Sequence, residues 1–487
     1  MTTRPQIADF EPPAPLPRTI PPGRLEIIRT VLRNPLELWG LPSYTWPWIE
    51  TRFFGQTTLI ANDPGLIRHV LVDNAANYEM SEVRQLVLRP ILRDGLLTAE
   101  GPVWKRSRKA MAPVFTPRHA RGFALQMRQQ SEDFLSRYET DEPAGVMRDI
   151  AVDMTELTYD ILSATLFSDG IVSEQGDFAK DVEDLLHNMG RVDPFDLLKA
   201  PKWVPRLTRI RGQKVLRKFR QLVRNTMDQR RALMIADRNT APNDFLTLLL
   251  DLEGPDGLSG EEIEDNILTF IGAGHETTAR ALAWTFYCVA HCPDVRIAME
   301  VEIDRVIASG ADPVDWLEQM PHVRAAFEEA MRLYPPAPSI NRDAIEDDSY
   351  TAASGEVIEI TQGTTVLVMP WTLHRHELYW DKPRVFDPTR FMPGAREKIG
   401  RFQYLPFGAG PRVCIGATFA LQEAVIALAV LMHRFRFDVT PETNPWPVQK
   451  LTTQPAGGIP MRITRRKARN NPASDAGPLV QTEATMP

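Results

Sequence analysis

The 487-residue sequence predicts a mainly α fold of the α+β class, and three observations carry that prediction. Apolar residues recur every three or four positions along the middle third, the period of a helix face. Stretches that alternate and carry a glycine at a turn are fewer and shorter. Between roughly Arg24 and Thr464 no linker-like break or repeat occurs, so these elements belong to one domain.

In chain order, residues 1–24 form a leader with seven prolines in the first 22 positions, which cannot pack a helix and is expected to lie extended on the surface. FGQTTLIANDPGLIRHVLVDN reads as a strand followed by a helix opened by Asp63 and Pro64. RDIAVDMTELTYDILSATLF and KVLRKFRQLVRNTMDQRRALMIADR carry the helical period. A longer helix is expected from Glu261 to about His291, apolar on nearly all sides past Ala279, as in a helix crossing a domain interior. VIEITQGTTVLVMP and LTTQPAGGIPMRIT each read as a β-hairpin. AVIALAVLM, Ala424 to Met432, is too short to span a bilayer and reads as a buried helix. Residues 466–487 are polar and aperiodic, a disordered tail by composition. The domain proper is thus 25–465.

Composition excludes several functions. Three cysteines without a CxxC pair argue against a disulfide scaffold and against a multi-cysteine metal site. A net charge of −7 argues against nucleic acid as the main partner. With neither a signal peptide nor a membrane span, the protein is expected in the cytoplasm, as a monomer.

The most informative segment is PFGAGPRVCIGATFALQEA. Glycines precede and follow Cys414, and a helix-forming run begins just after it. Such a loop presents one thiol at a helix N-terminus, whose positive end favours thiolate. Phe407, Gly408, Gly410, Arg412, Cys414 and Gly416 match F-[GS]-x-G-x-R-x-C-x-G position by position. This resembles the haem-binding loop of the cytochrome P450 family. The resemblance implies that Cys414 is the axial ligand of the iron of haem b, favouring O–O cleavage, and that Arg412 pairs a haem propionate.

Further segments resemble the same family. Glu329 and Arg332 share a helix face at i,i+3 and precede Leu333, Tyr334, Pro335 and Pro336. Pro383 to Phe391 matches P-x-x-F-x-P-x-R-F. The resemblance makes Glu329, Arg332 and Arg390 a buried triad that locks the cysteine loop to the core. Trp104 and Arg108, one helical turn apart, would contact propionates, with Arg342 as a further candidate. In FIGAGHETTARAL, the motif [AG]-G-x-[DE]-T-[TS] is met by Ala273, Gly274, His275, Glu276, Thr277 and Thr278. It implies an O2 groove beside Ala273 and Gly274, with Thr277 directing protons and Glu276 relaying them through water. A metalloprotease HExxH reading of His275 and Glu276 fails, because the second histidine would be Ala279. Cys288 and Cys292 read as packing residues.

The resemblance spans Trp104 to Gly416 and implies a helix-rich triangular domain with a smaller β-rich lobe. It implies a monooxygenase that uses O2, with electrons ultimately from NAD(P)H through a separate ferredoxin- or flavodoxin-type protein. That donor could dock on the basic residues Lys105, Arg106, Lys109, Arg396, Lys398 and Arg401. The substrate is expected to be lipophilic, in a pocket lined by Ser81 to Leu97, Phe270, Ala273, Ala337 to Ile340 and Gln454 to Ile459. Arg84, Arg89 and Arg93 are candidates to hold a substrate carboxylate. A peroxide-using or rearranging haem-thiolate enzyme and a haem sensor are the alternatives. The Glu276–Thr277 pair disfavours the first, and a cysteine rather than a histidine ligand disfavours the second.

Overall fold

The structure is a computed structural model and describes residues 9–53, 55–139, 144–168, 207–255 and 257–466. Residues 1–8 of the leader and 467–487 of the tail lie outside the described residues.

Six helices position the site: α1 Gly101–Met111, α2 Ile150–Phe167, α3 Leu207–Ala236, α4 Gly260–Ala290, α5 Pro321–Leu333 and α6 Ala417–Arg434. α4 is the axis of the molecule. Its 31 residues, at about 1.5 Å each, span about 46 Å. It starts at a capping box, in which Ser259 and Glu262 exchange side-chain and backbone hydrogen bonds at 2.8 and 3.2 Å. Every residue from Thr278 to Val289 is buried, as the all-round apolar pattern requires. α2, α5 and α6 pack against it.

α3 is tied to α4 by charge. Arg220 Nη1 donates to Glu264 and Asp265 at 2.7 and 2.8 Å, and Nη2 reaches the carbonyl of Ile91 at 3.0 Å. All three side chains are buried, so this pairing holds both helices and the loop after Ile91 in one arrangement.

The main sheet has five strands: β1 Trp48–Phe53, β2 Gln56–Ala61, β3 Tyr78–Met80, β4 Ile340–Ala344 and β5 Thr365–Val368, in the order β1-β2-β5-β4-β3. β2 and β5 are parallel and the other pairs antiparallel. Pro64–Arg68 forms the expected helix after β2, with Asp63 Oδ1 accepting from Leu66 N at 2.8 Å.

Neither expected hairpin forms. Val357–Ile360 pairs with Asp348–Thr351, while β5, just beyond Gly363, joins the main sheet. Likewise Thr453–Ala456 pairs with Trp446–Gln449, and Pro460–Arg465 joins Val146–Asp149 and Phe435–Val439. The turn at Gly457 and Gly458, both at positive φ, carries the chain from one sheet to another.

Ala424 to Met432 is buried within α6. Among the described residues α6 is the one helix long and apolar enough to cross a bilayer, and most of it is enclosed by protein. The described part of the leader, residues 9–23, is extended as expected, but it is a packed strap rather than a surface coil. Phe10 stacks on His291 at 4.3 Å, its carbonyl accepts from Phe386 N at 2.9 Å, and Pro13 O accepts from Tyr334 Oη at 2.8 Å.

Candidate active site

The cysteine loop lies between Leu405 and the start of α6. Cys414 N donates back to Phe407 O at 2.9 Å and Val413 N to Gly410 O at 3.1 Å, which closes the loop on itself. Gly410, at φ +74°, sits where a Cβ would fall 1.7 Å from the Leu71 carbonyl. It is therefore required by packing against Leu71 and does not face the cavity, contrary to the cofactor-contact role expected for it. Gly416 does face the cavity, and a Cβ there would enter open space.

The Cys414 side chain opens into a cavity of about 340 Å³ bounded by α4, α1, the cysteine loop and the start of α6. Phe407, Gly408, Arg412, Trp104, Arg108, Ala273, Gly274, Thr277 and Arg342 also line it. Burial pushes the Cys414 thiol up, while the Gly416 backbone and the Arg108 charge pull it down. The backbone at the helix end thus favours thiolate as expected, and burial outweighs it in the thiol's overall direction. A bound metal ion reverses that balance, because a coordinating thiol is deprotonated outright.

Among the described residues, four arginines line the cavity and no carboxylate does. Arg412 pairs with Glu100 just outside, donates to Ala99 O at 2.9 Å, and lies 4.5 Å over the Trp104 ring. Arg84 donates to Ser339 O at 3.0 Å. Arg342 is pushed down to about 10 by burial and then by the charges of Arg84 and Arg412. Burial also lowers Arg108 and Arg84. Half-buried guanidiniums gathered on one cavity, with Arg342 depressed by Arg84 and Arg412, favour an anionic ligand. A haem fits: it is flat, it carries two carboxylates for the arginines, and its iron takes a thiolate.

The remaining walls are mostly apolar, with Phe115, Leu162, Leu166, Phe245 and Phe270 among them. Phe115 packs against Phe245 and Phe270 at 4.8 and 4.9 Å between ring centres. Arg84, Leu96 and Leu97 represent the Ser81 to Leu97 segment, and Ala337, Ser339 and Ile340 the next one. Arg89 instead pairs with Asp94 at 2.8 Å on the surface, and Arg93 is exposed outside the cavity. Gln454 to Ile459 is likewise off the wall.

Thr277 Oγ1 donates to the Ala273 carbonyl at 2.8 Å, one turn back, as expected for a threonine in mid-helix. Glu276 is buried and does not line the cavity. Its Oε1 accepts from Thr452 at 2.7 Å and Gln454 at 2.6 Å.

Beneath the loop lie Glu329 and Arg332, both fully buried. Arg332 grips the carboxylate with two bonds at 2.6 and 2.7 Å and donates to the carbonyls of His374, Pro383 and Val385. Arg390 approaches Glu329 at 3.5 Å. The structure thus brings all three expected triad members together.

His374 links the triad to the cysteine loop, and no local sequence pattern marks it. Its carbonyl accepts from Arg332, and its Nε2 accepts from Leu405 N at 2.8 Å. An accepting Nε2 requires the neutral ring. Burial, then Arg332 and Arg375, push this imidazole well below the usual range. Below an unfolded-state value of about 6.5, only the unfolded chain takes up the proton. Stability therefore falls as pH drops below about 6.5, by up to about 1.4 kcal/mol per pH unit from this group. Denaturant melts from neutral to mildly acidic pH measure the slope. His374→Gln, which keeps an acceptor, has a shallower slope, and equal slopes remove His374 from the linkage.

Comparison with known proteins agrees with this geometry. The family model for cytochrome P450 matches residues 45–462. The chain is 30% identical to cyclooctatin synthase of Streptomyces melanosporofaciens, over 91% of this chain and 95% of that protein. It is 28% identical to the LUTEIN DEFICIENT 5 protein of Arabidopsis thaliana, over 88% of this chain and 75% of that one. The crystal structure of the cytochrome P450DA heme domain superposes with a TM-score of 0.75 at 24% identity, over 94% of this chain and 98% of that domain. A family match over most of the length, and a relative similar nearly end to end, agree with a cavity that sets one thiol among arginines: the chain belongs to the cytochrome P450 family of haem-thiolate monooxygenases.

Proposed function

We propose that this enzyme inserts one atom of O2 into a lipophilic organic substrate, with electrons from NAD(P)H delivered by a separate ferredoxin- or flavodoxin-type protein. The observation that carries this reading is the cavity, in which one thiol, four guanidiniums and a few hydroxyls interrupt mostly apolar walls. Haem b, when bound, supplies the redox and O2 chemistry. Cys414 would hold its iron, and Trp104, Arg108, Arg342 and Arg412 its propionates. Phe407, Gly408 and Gly416 would lie along its faces and edge, with Ala273 and Gly274 opposite. The phenylalanine and leucine walls would exclude water and hold the substrate by burial. Thr277, which lines the cavity, would hand on protons that Glu276 relays. Glu329, Arg332 and Arg390 would anchor the loop rather than take part in chemistry.

The catalytic domain in this reading is 25–465, with the leader and tail flanking it. Of the basic residues proposed for the electron donor, Arg106 pairs with Glu262 and Arg396 with Glu328. Exposed Lys105, Lys109, Lys398 and Arg401 supply the remaining positive charge that would steer an acidic protein.

Reduction under carbon monoxide tests the ligand: the long-wavelength Soret band of a thiolate-bound haem is expected, and the shorter-wavelength band of other ligation in folded protein overturns the reading. Substrates are found by screening lipophilic compounds for the high-spin shift that follows displacement of water from the iron. Thr277→Ala diverts O2 consumption from product to hydrogen peroxide, lowering coupling about 100-fold, the lower end of the range for loss of a positioned proton donor. Unchanged coupling removes Thr277 from the mechanism.

A further inference from the structure

Glu276 neighbours Thr277 on α4, yet its carboxylate turns away from the cavity wall. Its Oε1 is held by two side chains of one ribbon, Thr452 and Gln454, at 2.7 and 2.6 Å. Its Oε2 is buried and accepts no hydrogen bond from the described residues. A buried carboxylate oxygen without a protein donor is a site for water. Both donors that do reach Glu276 are neutral, so they orient the carboxylate without the deep hold of a buried ion pair.

The ribbon itself is anchored. Thr453 N and Oγ1 donate to Pro336 O and Pro335 O at 3.1 and 2.7 Å. On the paired strand, Pro447 O accepts from the Asn34 side chain at 3.0 Å, and Gln449 N donates to it at 3.0 Å. Pro336 lines the cavity. The donors to Glu276 are therefore fixed relative to both the cavity wall and α4.

We propose that Thr452 and Gln454 are positioning residues for Glu276: they hold it by Oε1 and leave Oε2 as the end that takes a proton from water and passes it towards Thr277. The carboxylate ends each transfer as it began, so the ribbon adds no redox step. It sets where the relay begins. This rests on the reading of Glu276 and Thr277 as the proton relay.

The test compares Thr452→Val, which removes the hydroxyl at equal size, with Thr452→Ser, which keeps it, alongside Gln454→Leu and Glu276→Gln. In the resting protein, the infrared carboxylate stretch that vanishes in Glu276→Gln shifts in Thr452→Val and in Gln454→Leu, and stays in place in Thr452→Ser. Product formed per O2 consumed falls about tenfold or more in the Thr452→Val, Gln454→Leu double variant, which loses two hydrogen bonds to a charged group. Thr452→Ser behaves as the parent. A stretch and a coupling ratio both unmoved in the double variant overturn the proposal. Parental coupling in Glu276→Gln overturns the relay beneath it, and a shifted stretch in the other variants then places the failure there rather than in the hydrogen bonds. The carbon monoxide spectrum of each variant verifies that haem is retained.

Discussion

Replacing Cys414 by histidine abolishes the thiolate band of the carbon monoxide complex and lowers monooxygenase turnover by more than about 100-fold, the upper scale on which even outer partners of a metal ligand act. The fold survives this change. The Cys414 side chain opens into the cavity, and its link to Phe407 is through the backbone, which histidine keeps. No other thiol lines the cavity. Cys288 and Cys292 are buried near the C-terminal end of α4 and absent from the cavity wall, and burial pushes both thiols up. The measurement is the reduced carbonyl spectrum with turnover of a spin-shifting substrate. A thiolate band that persists assigns the ligand elsewhere.

Arg332→Met destabilises the protein by about 3–5 kcal/mol, because it leaves the Glu329 carboxylate buried without its main cation. Both side chains are 0% exposed, so water cannot enter to compensate. The change also strips hydrogen bonds from the carbonyls of His374, Pro383 and Val385, and His374 carries Leu405 at the entrance of the cysteine loop. Haem retention is expected to fall with stability. Arg390→Met costs far less, since Arg390 stands 3.5 Å from Glu329 and is partly exposed. Denaturant midpoints at constant slope separate the two, and equal midpoints would dismiss the ranking.

The parts of the site legible in the sequence are those written in local spacing. The run from Phe407 to Gly416 is one loop, and its chemistry is contained within it. Trp104 with Arg108, and Glu329 with Arg332, are one helical turn apart, so the 3.6-residue period already puts each pair on one face. What escaped was set by partners far along the chain. Alternation at Val357–Val368 marks two strands truly, but strand pairing is chosen by the sheet, and β5 found β2 and β4 instead of its neighbour. Gly410 carries the spacing of a cofactor contact, yet Leu71 is the atom group that forbids a side chain there. His374 and Gln454 act through contacts to Leu405 and Glu276, which no window of sequence contains.

The packed strap bears on the order of synthesis. Phe10 and Pro13 leave the ribosome early, while Tyr334, 321 positions after Pro13, and Phe386 emerge much later. At about 5–20 residues per second the strap waits tens of seconds for its binding surface. It can dock only after α5 and the segment carrying Phe386 have been made, and those same elements carry Glu329, Arg332 and the carbonyl of Val385. Docking of the earliest-made described segment thus reports that the last-made framework for the cysteine loop is complete, and a proline-rich stretch that forms no competing helix is suited to that wait.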